Sequence, residues 1–422
     1  MFSPSIPALI TPTLKLKRNI FKNRYCTSTV IDMYKMIVMI ALLLVAVQGD
    51  TFYEIDFPGE ELAPIDDVSL CADGKSVYVA YTPPDAADTV VTKLGIDLEE
   101  LESIRLEGVI SPCIKVFDNT MYLVGISGEQ IVIKVLTSDL EVITDFTMEI
   151  EEPTHVYILP YEEGILLSYV HRFLENDLLR QDVFVKKLDF SFNQLAEARL
   201  TNWDYWEDPC LAVYNESILV CYANAPLISI LDRHLVIVKL DMDLEKIEEV
   251  RHPRQAAMEG DMPIGKTVIQ PDMVKVDEGV VILYRIADHN FTTSKWTWQG
   301  FTTIVPGNIR GVHITESLEI GEEITISKDF REHYQPAAVS AFGRVYFAHA
   351  ISEKEVKKLQ IISAETFYDL KVEPPSWWET HQYRIAAGTV VGIVVVVVIV
   401  EVLKRLVTEK RKEEKKGGRK KK

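Results

Sequence analysis

The sequence predicts an all-β, six-bladed β-propeller ectodomain plus one C-terminal transmembrane helix. Three observations carry this reading. A strand–turn–strand unit recurs six times between Asp50 and Pro375. The same span shows much alternation of apolar and polar residues and little helical periodicity. Near the C-terminus, Ile385–Val400 contains no charged residue.

The repeat is clearest in its second strand, which aligns without gaps. The copies are S-V-Y-V-A-Y from Ser76, T-M-Y-L-V-G from Thr120, G-I-L-L-S-Y from Gly164, S-I-L-V-C-Y from Ser217, G-V-V-I-L-Y from Gly279 and R-V-Y-F-A-H from Arg344. The last column holds Tyr81, Tyr169, Tyr222 and Tyr284, expected as core packing between blades. Each copy follows a turn, such as Asp118-Asn119 or Phe342-Gly343, that suits a hairpin. Pro112, Pro209, Pro271 and Pro336 precede the aligned strand at one spacing and are expected to open the first strand. Pro153 and Pro64 are read as their displaced equivalents. A third strand repeats around Lys93, Lys134, Lys187, Lys239 and, more weakly, Lys358. The fifth unit reads as irregular there, with an insertion from Trp296 to Glu316. A unit with one apolar face cannot bury it alone, whereas a closed ring of six buries all of them. A pair of β-sandwiches is the structural rival. T-F-Y-E-I-D-F at Thr51 and T-F-Y-D-L-K-V at Thr366 are expected in or beside the last blade, closing the ring.

The two ends suggest delivery to a membrane. Residues 36–49 read as a signal peptide, with the apolar run Met36–Val47 after Lys35. Residues 1–35 lie upstream of this complete signal, and translation starting at Met33 or Met36 would exclude them. An uncleaved signal anchor is the alternative. Residues 50–375 form the expected ectodomain, 376–384 a juxtamembrane stalk, and 385–403 a transmembrane helix long enough to cross the hydrocarbon layer. Trp377, Trp378 and Tyr383 precede that segment as interfacial aromatics, and 404–422 form a basic tail. Positive-inside logic then gives a single-pass type I protein of the cell membrane, ectodomain outside and tail in the cytoplasm.

Charge narrows the partners. The chain carries −18 overall, but residues 1–49 contribute about +5 and 404–422 about +8, leaving about −30 for the ectodomain. Such a surface excludes nucleic acid and does not lie flat on anionic lipid.

The unit X-Pro-strand-turn-strand-Tyr resembles the blades of sialidase-type and arabinanase-type glycosidase propellers. The resemblance covers the ectodomain at the level of fold. No S-x-D-x-G-x-T-W box is present, S-K-W-T-W at Ser294 being a poor match. The resemblance therefore implies a propeller and transfers no activity.

Candidate chemistry falls on the loops entering the innermost strands. Asn202–Asp208 sets Trp203, Tyr205 and Trp206 beside Asp208 and further acids. Aromatic faces and carboxylates in that combination suit carbohydrate. Phe330–Gln335 adds Arg331, His333 and Tyr334, and Met258–Pro263 adds Glu259 and Asp261. A hydrolase would need two facing carboxylates, for which Asp208 with Glu152 or Asp272 are the candidates. Cys210 and Cys221 flank the Asn215-Glu216 turn symmetrically, so a cross-strand disulfide is expected if theirs is a non-hydrogen-bonded pair. Cys71 with Cys113 would then link adjacent blades. Asn215 and Asn290 are glycosylation sequons. No zinc spacing or calcium loop is present, so no metal or cofactor is expected. The functional expectation is a membrane-anchored surface binding or adhesion module, for carbohydrate or a protein ligand. A tethered glycoside hydrolase and a structural envelope component are the alternatives.

Overall fold

The computed structural model describes residues 52–58, 65–175, 178–202, 205–225, 234–252, 257–259, 262–264, 266–277, 279–288, 307–327, 332–352, 356–370 and 372. The signal peptide, stalk, transmembrane segment and tail expected from the sequence lie outside them. Among the described residues, no helix is long and apolar enough to cross a membrane.

Six four-stranded antiparallel sheets follow one another along the chain. Their innermost strands are Asp66–Ala72, Ile110–Phe117, Pro153–Tyr161, Tyr205–Tyr214, Lys266–Val276 and Glu332–Ala341, which open blades 1 to 6 in order. Blades 1 to 5 each finish with their own outer strand. Blade 6 does not: its fourth strand is Phe52–Pro58, paired antiparallel with Val356–Ala364 from Phe52↔Ile362 to Pro58↔Val356. The first described strand therefore closes the last sheet, as the two matching ends predict. The segment after blade 6 stays beside it: Phe367, Leu370 and Val372 pack with Phe347 and Leu283 between blades 5 and 6.

Burial explains the order of strands. The second strands are buried over most of their length, as in Val77–Thr82, while outer strands such as Glu100–Leu106 face solvent with acids along their length. Apolar runs go where both faces are covered, and charge goes where an open edge would otherwise recruit another strand. Tyr81, Tyr169, Tyr222 and Tyr284 are all buried between sheets.

A second repeat joins neighbouring blades. The third and fourth strands are joined by five-residue turns at 95–99, 137–141, 189–193, 241–245 and 315–319. In each, the first residue's N–H donates to the fifth carbonyl, and the fourth residue is left-handed: Leu98, Leu140, Phe192, Leu244 and Leu318. At four of these turns the preceding blade grips the second residue. Tyr78 donates to the Ser138 carbonyl at 3.0 Å and Tyr346 to that of Ile96 at 3.1 Å, while Lys187 and Lys239 reach the carbonyls of Met242 and Glu316 at 3.2 and 3.0 Å.

Two expectations are corrected. The fifth unit is regular: its third strand is Gly307–Ile314 and Thr315–Glu319 is the standard turn, so its extra length lies wholly before Gly307. Pro153 opens its strand as expected, but Pro112, Pro209, Pro271 and Pro336 do not open theirs. They occupy a bulge inside them, and the equivalents in blades 1 and 3 are Val68 and Val156, not Pro64 and Pro153.

Candidate functional site

All six innermost strands break register at one place. The breaks lie between Asp66 and Ser69, Ile110 and Cys113, Thr154 and Tyr157, Glu207 and Cys210, Ile269 and Asp272, and Tyr334 and Ala337. The first residue of each bulge is left-handed: Asp67 (φ 49°), Ser111 (54°), His155 (49°), Asp208 (52°), Gln270 (56°) and Gln335 (48°). Non-glycine residues held there cost roughly 1–2 kcal/mol each. Val68, Pro112, Val156, Pro209, Pro271 and Pro336 come next, at a position where a bulge makes no demand for a ladder N–H. Six strained polar residues thus form one ring around the mouth of the channel.

Part of the ring is bonded member to member, from His155 through Asp208 and Gln270 to Gln335. Asp208 uses both oxygens: Oδ1 lies 2.6 Å from His155 Nδ1, and Oδ2 accepts from the Gln270 N–H at 3.1 Å. Gln270 Oε1 in turn accepts from the Gln335 N–H at 3.2 Å, and the Ser111 N–H donates to the Thr82 hydroxyl at 3.2 Å. Burial pushes the Asp67 carboxyl above the ordinary aspartate range, against the pull of His155 and the Ser111 hydroxyl, and the charge of Asp208 adds to the rise. The ring and the residues just below it enclose about 60 Å³. Pockets for drug-sized ligands run to about 300–1,000 Å³, so the ring is a floor and not itself a sugar pocket.

A second layer lies beneath. Ser69 bonds the Ile114 N–H at 3.0 Å, the Cys113 thiol reaches the Ile158 carbonyl at 3.8 Å, and Asp272 Oδ2 accepts from the Ala338 N–H at 3.1 Å. Each of these side chains clasps the backbone of the following blade. Tyr157 spans further, from blade 3 to blade 5, donating to Asp272 Oδ1 at 3.0 Å.

The sequence candidates distribute as follows. Asp208 belongs to the ring. Tyr334 precedes the blade 6 bulge and is buried, with the Arg285 guanidinium 4.2 Å from its ring centre. Tyr205 and Trp206 begin the blade 4 inner strand and His333 lies in that of blade 6, but their side chains are outside the described residues, as are Trp203, Arg331, Asp261 and Asn290. Glu259 sits in a small hairpin, Ala257–Glu259 with Met262–Ile264. Asn215 is exposed on its turn and donates to Glu316 Oε2 at 2.5 Å. Of the carboxylates considered with Asp208, Asp272 is in the second layer and Glu152 is exposed ahead of the blade 3 bulge. Among the described residues, no group of three or more His, Cys, Asp or Glu is arranged to hold a metal ion.

The expected disulfides are corrected: Cys71, Cys113, Cys210 and Cys221 are all free and buried. Cys210 and Cys221 do face each other in register. Counting from the two-residue turn, however, Tyr214↔Ser217 is a hydrogen-bonded pair and alternation makes Cys210↔Cys221 another. Side chains of such a pair stand further apart than in the alternate kind. Burial pushes both the Cys71 and the Cys210 thiol up.

Sequence reading found one ring member, Asp208, and passed over Asp67, Ser111, His155, Gln270 and Gln335. The signal was present: these residues form a gap-free polar column immediately before the proline column.

Fold and site together define a six-bladed β-propeller with a polar, clasped mouth. No family model matches the chain, and no curated protein does. Among solved structures it is similar to a neuraminidase-like protein of A/little yellow-shouldered bat/Guatemala, at 13% identity over 76% of this chain and 99% of that one, TM-score 0.45. It is also similar to an exo-1,5-alpha-L-arabinanase from a bovine ruminal metagenomic library, at 12% identity over 61% and 93%, TM-score 0.38. A mutant of the GH43 protein BlXynB from Bacillus licheniformis matches at 10% identity over 69% and 64%, TM-score 0.40. The likeness extends to the fold alone.

Proposed function

We propose that the chain is a surface binding module, its propeller delivered outside the cell by residues 36–49 and tethered by 385–403, with carbohydrate as ligand at the mouth. The observation that carries binding over hydrolysis is the engagement of Asp208. Both its oxygens are committed within the protein, so it serves the ring and is not presented to a substrate. The sequence candidates for ligand contact remain Trp203, Tyr205 and Trp206, just before Asp208 in the chain. With about −30 on the ectodomain, neutral sugars are favoured over anionic ones.

One observation favours a second reading, hydrolysis. Asp67 holds its proton more tightly than an ordinary aspartate and shares the ring with Asp208, and a carboxyl raised in this way suits a general acid. A glycan array of the full-length chain, read for retention and for cleavage, separates the two. Binding predicts retention without cleavage, lost in Trp206→Ala. Turnover abolished by Asp208→Asn would establish the hydrolase instead, and no retention of any glycan would remove carbohydrate as the ligand.

A further inference from the structure

The larger cavity of the channel opens on the opposite face, beside the two-residue turns. It measures about 690 Å³ and all six blades contribute to it. Its wall is apolar near the axis, with Leu70, Val116, Leu159, Leu211, Met273 and Val339. Two lysines line it, the exposed Lys275 and the largely buried Lys115. Lys115 is 13% exposed at its side chain and lines this cavity. Its ammonium lies 4.0 Å from Asp272 Oδ1 and 4.8 Å from the centre of the Tyr157 ring.

Those distances leave the ammonium without a hydrogen bond. Among the described residues, no acceptor lies within hydrogen-bond reach of it. Asp272 does not depend on it either, because the Tyr157 hydroxyl and the Ala338 N–H already supply one donor to each of its oxygens. Burial is the largest influence on the Lys115 pKa and lowers it, but Asp272 together with Cys113, Cys71 and Cys210 outweighs it, and the group sits above the ordinary lysine value. A charged, three-donor group thus lines a cavity whose wall includes Leu70, Val116, Leu159, Leu211, Met273 and Val339 and whose lining also carries Glu162, Glu163, Asn215, Glu216 and Lys275. Burying such a charge without acceptors is costly, and a cavity of this size is within the range that holds a small organic molecule.

We propose that this cavity binds a small organic monoanion, an apolar body carrying one carboxylate that accepts from Lys115. The rim sets the charge limit. Glu162, Glu163 and Glu216 line the cavity with Lys275; Glu163 is paired with Lys187 at 3.1 Å, and Glu162 and Glu216 against the single Lys275 leave a net negative lining that opposes a second negative charge on the ligand. The site is separate from the mouth. Tyr157 and Asp272 lie between the two cavities, and nothing in this argument depends on what the mouth binds.

The test is calorimetric titration of the full-length chain in neutral detergent with 4-phenylbutanoate and with 4-phenyl-1-butanol, which keeps the body and removes the charge. The acid should bind at one site per chain, and the alcohol at least about tenfold more weakly. Lys115→Met should reduce the acid to the level of the alcohol, and Lys115→Arg should retain most of its affinity. Equal binding of acid and alcohol, or of neither, by the native chain overturns the proposal whether or not the variants fold. So does undiminished acid binding by a Lys115→Met chain that unfolds at the native midpoint.

Discussion

The two ends of the propeller are built by opposite rules. At the turn face, strands are joined by short connections repeated from blade to blade, and an apolar side chain from each five-residue turn is driven inward, as with Leu140 and Leu244, both about one-twentieth exposed or less. At the mouth face, connections vary from two residues at Ser127–Gln130 to the long segments 226–233 and 289–306, and the repeated element is a ring of polar residues. Left-handed backbone occurs at both ends in every complete repeat, but it is stabilised differently. Turn-face strain is offset by burying a leucine or phenylalanine. Mouth-face strain is held by hydrogen bonds from one blade's side chain to the next blade's backbone. Apolar burial tolerates little change in shape, whereas a polar clasp leaves variable segments free above it, and function usually resides with such segments.

If this contrast is right, truncation should cost more at the turn face. Leu244→Ala removes a side chain that is 5% exposed and should destabilise by about 2–5 kcal/mol, read by chemical denaturation. At the mouth, Asp208→Ala leaves the Gln270 N–H and His155 without their partner and should cost about 1–3 kcal/mol. A stabilising effect would break the comparison, because a carboxylate kept for chemistry is commonly held against stability.

Asp67 sharpens the account through pH. Its folded pKa is raised, so between the unfolded and folded values the folded chain binds the extra proton, and stability falls as pH rises through that interval. Asp67→Asn should therefore raise the melting temperature at pH 7. The gain should disappear below about pH 4, the ordinary aspartate range. An advantage of equal size at all pH values would show that charge is not the cause.

The smallest effect tests the equivalence of the six bulges. Val156 stands where four blades carry proline. Val156→Pro should stabilise by about 0.4–1 kcal/mol, because the chain there already has a conformation that proline accepts in its neighbours. Destabilisation would mean that the blade 3 bulge is not equivalent to the others.

Much of the architecture is legible in the residues. Second strands align without gaps because each is buried on both faces, which leaves little freedom in length or composition. Closure by the first strand was visible in the matching T-F-Y ends. The third strand of blade 5 was missed because Gly307–Ile314 lacks the lysine-leucine ending of its counterparts, although T-E-S-L-E after it preserves the turn. The site was less legible. Aromatic and acidic residues before blade 4 drew attention by composition, whereas the ring is defined by backbone conformation, and polar residues as different as serine and histidine occupy it equally well. Lys115 gave no signal at all: a lysine on a strand reads as solvated, and only closure of the ring places it inside a channel.

Both faces exist only because the ring is closed by pairing Phe52–Pro58 with Val356–Ala364. Hydrogen–deuterium exchange of the full-length chain measures that pairing directly. The account predicts that peptides covering 52–58 and 356–364 are protected together and lose protection in the same unfolding event. Free exchange of 52–58 alongside a protected 356–364 would contradict it.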